Sequence, residues 1–222
     1  MQVPILYEDN HLLFVEKPVN IPVQEDRSKS QDLLTFLKED LRIRYQKPGN
    51  VYLGLVQRLD RPVGGVMVFA KTSKAAARLS DAIRRKNIQK RYLAVVRGRP
   101  AKDRDRLEDF LVKNHQENKV YTTSSHHKKA KKAVMDYELI GSKKGLSLLS
   151  IRLHTGRPHQ IRVQLASQDC PLYGDQKYGV EVNQPGQQIA LWSQKLALDH
   201  PTKKEKTEIN SQPPNEYPWN LW

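Results

Sequence analysis

Val66-Met67-Val68-Phe69-Ala70 is an unbroken apolar run of strand length, and a strand with no polar face must be covered on both sides. This requires a central strand with further elements packed around it. The residues after it supply one, because Ser73 can cap a helix that turns Ala75, Ala76, Leu79, Ala82 and Ile83 inward before Arg84-Arg85-Lys86-Asn87 ends it. The other apolar stretches are also short. Leu6-Tyr7 and Leu12 to Val15 predict a hairpin around Glu8-Asp9-Asn10, Val51, Leu53 and Leu55 an apolar strand, and Tyr92 to Val96 a strand stopped by Gly98-Arg99-Pro100. Val134 to Ile140 and Leu146 to Leu153 predict an antiparallel pair joined through residues 141–145.

Helical periodicity is scarcer. Ser30 can cap a helix with Leu33, Leu34, Leu37 and Leu41 on one stripe, and Pro158 can open another that buries Ile161 and Leu165. Residues 101–132 are polar, carry Lys128-Lys129-Ala130-Lys131-Lys132, and predict an excursion from the core with a hairpin at Val120 to Thr123. Short strands at Ile189 to Trp192 and Lys195 to Leu198 precede a Pro-rich tail. With 222 residues the expectation is a single α+β domain over 1–222.

Lys and Arg number 38 against 24 Asp and Glu, for a net charge of +14, which favours a polyanionic partner such as nucleic acid. The same charge, spread along the chain, also fits a solvated basic surface with no nucleic-acid ligand. No basic amphipathic helix argues for a membrane surface, and no apolar run approaches spanning length. One cysteine, Cys170, excludes an internal disulfide framework and fits a reducing compartment. The first 17 residues are too acidic and too interrupted for a signal peptide, so the expected location is cytoplasmic.

Gln57-Arg58-Leu59-Asp60 stands out chemically, because it sets a guanidinium and a carboxylate at the end of an apolar segment just before Gly64-Gly65. Such a triplet is on its own more often a structural ion pair than a catalytic one. A carboxylate kept ionised in a basic pocket can also act as nucleophile or base. Thr155-Gly156-Arg157-Pro158-His159-Gln160-Ile161-Arg162 offers a guanidinium that could reach it. His154, His159 and Cys170 lack the spacing of a metal site, and Gly64-Gly65 lacks the residues of a phosphate loop.

Four segments taken in order, Gln57 to Asp60 with Gly65, Lys90 to Gly98, Thr155 to Val163, and Pro171 to Asp175 with Tyr178-Gly179, resemble the motifs of RluA-type RNA pseudouridine synthases, and His200-Pro201 resembles that family's closing strand region. The resemblance implies a mixed, largely antiparallel sheet flanked by helices and loops. It implies cofactor-free isomerisation of uridine in ribosomal or transfer RNA, with RNA as partner; a monomer is the simplest expectation for a chain that must wrap a structured RNA. Asp60 matches the family's catalytic aspartate, which attacks the ribose or assists glycosidic cleavage; the sequence leaves both routes open. Tyr92 matches the tyrosine that packs on the target base and helps remove the C5 proton, and Arg162 the arginine paired with the aspartate. Arg58 matches the residue that fills the gap left by the flipped nucleotide, and Lys90, Arg157, His159 and Gln160 fall at RNA-binding positions.

Physical chemistry makes these roles reasonable. Extruding a base costs a few kcal/mol, which a planar cation in the vacated stack partly offsets, and aromatic stacking on the extruded base contributes about 1–3 kcal/mol. The chain departs from the family pattern at Gln57 and Trp192, where histidine is common, and at Pro62-Val63-Gly64. These changes predict altered packing or RNA contacts beside the site. The chain is also expected to start with the catalytic domain, without the small N-terminal RNA-binding module of many relatives.

Overall fold

The computed structural model describes residues 2–26, 29–203 and 205–222. In chain order the elements begin with β1 (Ile5–Glu8), β2 (Leu12–Lys17), α1 (Leu33–Arg44), β3 (Gly54–Leu55), β4 (Gly64–Ala70) and α2 (Ser73–Arg84). They continue with β5 (Gln89–Arg97), β6 (Arg104–Asn114), β7 (Lys119–Thr123), β8 (Lys131–Lys143), β9 (Leu146–Leu153) and α3 (Gln160–Ala166). The last are β10 (Leu191–Asp199), β11 (Lys206–Asn210) and a 3-10 turn at Trp219–Leu221. The class is α+β, and every strand pair with a described register is antiparallel. The chain forms two compact units, Met1–Gln89 with Ser193–Gln212 and Lys90–Trp192 with Pro213–Trp222.

The first unit explains the unbroken apolar run. Its strands lie in the order β1-β2-β4-β10, with β3 beside β4 and β11 beside β10. Side chains alternate along β4, so Met67 and Phe69 meet Leu33, Leu37 and Leu41 of α1, while Val66, Val68 and Ala70 meet Ala75 and Leu79 of α2. One helix therefore packs on each face of the strand. The helix starts differ slightly from expectation. Asp32, not Ser30, caps α1 by accepting from the Thr35 amide at 3.0 Å, and Thr72, not Ser73, caps α2 by accepting from Ala75 at 3.1 Å. In each case the nearer side-chain oxygen reaches the amide three residues on, as a cap requires. Val51 and Leu53 are buried beside α1, but only Gly54 and Leu55 join the ladder, opposite Ala70 and Phe69.

The second unit orders its strands β5-β9-β8-β6-β7. Lys144 and Gly145, both at positive φ, form the two-residue turn between β8 and β9, matching the twist of the strands they join. The polar stretch expected as an excursion contains the β6–β7 hairpin, and β6 pairs with β8 from Arg104 to Leu111. Its few apolar residues suffice because Leu111 and Val120 share one face, which packs on Val163 of α3. The opposite end of this unit buries Leu93, Val95, Leu146 and Leu148 under Trp219, Leu221 and Trp222. The two short strands expected near residues 189–198 form one continuous strand, β10.

α3 begins at Gln160, two residues after Pro158. His159 takes φ of 50°, a left-handed conformation that cannot extend the helix backward. The burial of Ile161 and Leu165 agrees with the expectation, but Gln160, Arg162 and Gln164 are buried as well.

Candidate active site

Asp60 sits in the first unit, half-buried, in the short loop between β3 and β4. Its carbonyl accepts from the Val63 amide at 3.0 Å, which closes the loop into a turn. Beneath it lies Lys17, the last residue of β2, with no exposed surface. Its Nζ donates to the carbonyls of Pro18 at 2.9 Å, Arg61 at 3.0 Å and Val63 at 2.8 Å. An ammonium has three donors and here meets three acceptors. Burial pushes the Lys17 pKa down to about 7, although Asp60 favours the charged form and Arg61 opposes it.

Two further contacts set the loop. Arg61 donates through Nε to the carbonyl of Asn20 at 3.0 Å and pairs with Asp26 at 3.5 Å, tying the loop to the segment after β2. Gly65, at φ of 108°, lies against the backbone of Ser193, where an added Cβ would come within 2.3 Å of a carbonyl oxygen. Only glycine fits that conformation and that approach. Leu59 packs into the α1 cluster. Arg58 is exposed, with no hydrogen bond or ion pair among the described residues.

Tyr92 lies in the second unit on β5, 8% exposed, and Lys90 shares its face two residues earlier. Burial lowers the pKa of Lys90. Around α3 the motif residues form a polar lattice. Thr155 donates to Gln160 Oε1 at 2.7 Å, the Arg157 amide donates to the same oxygen at 3.1 Å, and Gln160 donates on to Gln164 at 2.9 Å. His159 Nδ1 lies 2.7 Å from the Tyr178 hydroxyl, which also accepts from the Val120 amide at 2.8 Å. Arg157, half-buried, donates through Nε to the Lys132 carbonyl at 2.9 Å.

Arg162 is buried and forms a two-bond pair with Asp175, Nε to Oδ2 and Nη2 to Oδ1, both 2.8 Å. Its guanidinium also lies 5.2 Å from the centre of the Tyr178 ring. Burial alone would raise the Asp175 pKa, but Arg162 and the amides of Lys177 and Tyr178 more than offset it and hold the carboxyl below the usual range. Lys17 and Asp175 carried no assignment from sequence. Asp175 stands inside a quoted motif, whereas Lys17 could have been found only as a lysine ending an otherwise buried strand.

A sequence model of the RNA pseudouridylate synthase family matches residues 11–167, which takes in Lys17, the Asp60 loop, Tyr92 and all of α3. The chain belongs to the RNA pseudouridylate synthase family. It is 32% identical over 216 residues to an uncharacterized RNA pseudouridine synthase, YjbO, of Bacillus subtilis, covering 96% of this chain and 73% of that one. It is 29% identical over 214 residues to ribosomal large subunit pseudouridine synthase C of Buchnera aphidicola, covering 93% of this chain and 66% of that one. The chain spans between 54% and 73% of the length of the first curated relatives that it matches.

The fold agrees with that membership in the pseudouridylate synthase family. Human RNA Pseudouridylate Synthase Domain Containing 4 superimposes with a TM-score of 0.80 at 22% identity, over 95% of this chain and 88% of that one. Among the described residues, no helix is long and apolar enough to cross a membrane, and no group of three or more His, Cys, Asp or Glu side chains is placed to hold a metal.

Proposed function

We propose that this chain converts uridine in RNA to pseudouridine, with Asp60 as the essential group. The reaction breaks the N1–C1′ bond, turns the base, forms C5–C1′ and moves the C5 proton away while N1 gains one, so no redox partner or cofactor is needed. The observation that carries this reading is the Asp60 loop. In a chain of this family, a buried ammonium holds the carbonyls of Arg61 and Val63, next to the acid, in fixed positions, and such preorganisation is what a reacting carboxylate needs. Asp60 attacks C1′ or assists departure of the base, Tyr92 packs on the base and serves the C5 proton, and Arg162 supports the aspartate.

Arg58 fills the vacated stack, while Lys90, Arg157, His159 and Gln160 line the RNA path. Residues 1–222 act together as the catalytic part, as a cytoplasmic monomer. Large-subunit ribosomal RNA is the favoured substrate, because the named function of the Buchnera relative is modification of that subunit. Transcripts carrying tritium at uridine C5 test the assignment. The wild type should release label, and Asp60→Asn should stay folded and release none. Equal release from both would remove Asp60 from the mechanism.

A further inference from the structure

The β5-β9-β8-β6 sheet carries a row of charged side chains on the face opposite Tyr92. Arg91 stands across from Arg152, Arg152 from Asp136, and Asp136 from Arg106. Side chains alternate along a strand, so Arg91 points away from the side to which Tyr92 points. These residues, with Arg104, line an open groove of about 460 Å³. The carboxylates in it are already engaged. Asp136 accepts from Arg106 Nε at 2.7 Å and lies 2.6 Å from His154 Nε2, and these two partners outweigh the opposing effect of burial and hold its pKa down at about 2. Glu138 is paired with Arg104.

Arg91 and Arg152 are both exposed, and neither has a hydrogen bond or ion pair among the described residues. Like charges directly opposite on antiparallel strands are destabilising. Two guanidiniums at neighbouring-strand spacing, free of carboxylates, present paired donors of the kind that recognise a phosphate in two-bond geometry. We infer that this groove is a second RNA-contact surface, in which Arg91 and Arg152 hold the phosphate backbone of a helical segment away from the modified uridine. The inference rests on the reading that the chain acts on RNA, and it adds a surface on the reverse of the Tyr92 face. RNA phosphates fit better than an acidic protein partner, because the groove is lined almost wholly by charged and polar side chains and lacks the apolar centre that protein interfaces bury.

Binding of a mixed-sequence 20-base-pair RNA duplex, measured from 50 to 200 mM salt, tests this independently of any modification site. The double variant R91Q/R152Q should bind about tenfold or more weakly at 0.1 M salt, with a slope of log affinity against log salt shallower by about 1.8, near 0.9 for each lost phosphate contact. Its melting temperature should equal or exceed that of the wild type, since a repulsive pair has been removed. R84Q/R85Q on α2, which removes the same formal charge from guanidiniums paired with Asp81, should change the slope less. A slope change in R91Q/R152Q no larger than in R84Q/R85Q would overturn the assignment. So would a melting temperature clearly below the wild type, which would make the pair structural. If the duplex contrast holds while the wild type releases no tritium, the groove stands and the isomerase reading falls.

Discussion

Replacing Lys17 with methionine keeps the length and apolar stem of the side chain and removes three hydrogen bonds from the Asp60 loop. Of the three carbonyls, only the bond to Val63 is fully buried. Leaving that acceptor bare costs about 1–3 kcal/mol, and the two partly exposed ones, which water can reach, cost roughly 1 kcal/mol each. Against this stands the burial of a charge. Lowering the Lys17 pKa from 10.5 to about 7 corresponds to about 5 kcal/mol of cost for keeping the ammonium out of water. The two contributions nearly cancel, so Lys17→Met should change the unfolding free energy by less than about 2 kcal/mol.

Activity should respond very differently. A loop that has lost its register misplaces Asp60, and a displacement near 1 Å costs about 100-fold in rate. Tritium release under single-turnover conditions should therefore fall about 100-fold, with RNA affinity changed much less. The pH dependence carries the sign. Between about pH 7 and 10.5 the unfolded chain keeps the Lys17 proton that the folded chain has released, so wild-type stability relative to Lys17→Met should rise with pH across that window. A Lys17→Met variant that keeps its rate within about threefold, or loses more than about 4 kcal/mol of stability, would refute this account of the cage.

The other expectations concern one residue in each unit. Gly65→Ala forces a Cβ to 2.3 Å from the Ser193 carbonyl at a φ of 108°, and strain with overpacking should cost about 3 kcal/mol, read by denaturant unfolding. Asp175→Asn removes the buried two-bond partner of Arg162 and should cost about 3–5 kcal/mol. Because the Asp175 pKa is lowered on folding, its contribution is present above the ordinary carboxylate pKa and is lost as pH falls through the folded value. The acid limb of the wild-type stability profile should accordingly flatten in Asp175→Asn, and an unchanged limb would mean that the pair contributes nothing.

Much of this architecture was legible from local pattern. Val66 to Ala70 demanded cover on both faces, and the stripes led by Leu33 and Ala75 supply it. The hairpin of β1 and β2, the β8–β9 pair and the ordered motifs around Asp60, Tyr92 and Arg162 were visible because each depends on residues close in sequence. The β6–β7 hairpin was harder to read, since β6, 11 residues long, buries only Leu107 and Leu111 fully along its length. The start of α3 was displaced because the left-handed φ of His159 depends on packing around Tyr178, not on the propensity of Pro158.

Sequence alone determined the class and the family and singled out candidate site residues, because strand alternation, helix stripes and motif order are short-range properties of side-chain type. Tertiary structure alone decided how those residues are held. Lys17 reaches carbonyls 44 and 46 residues away, and a backbone carbonyl has no residue type to announce it. Arg162 likewise takes Asp175, 13 positions on, as a partner that only the folded chain reveals. The opposed Arg91 and Arg152 follow the same rule: each is an ordinary basic residue until the register of β5 against β9 sets two like charges face to face.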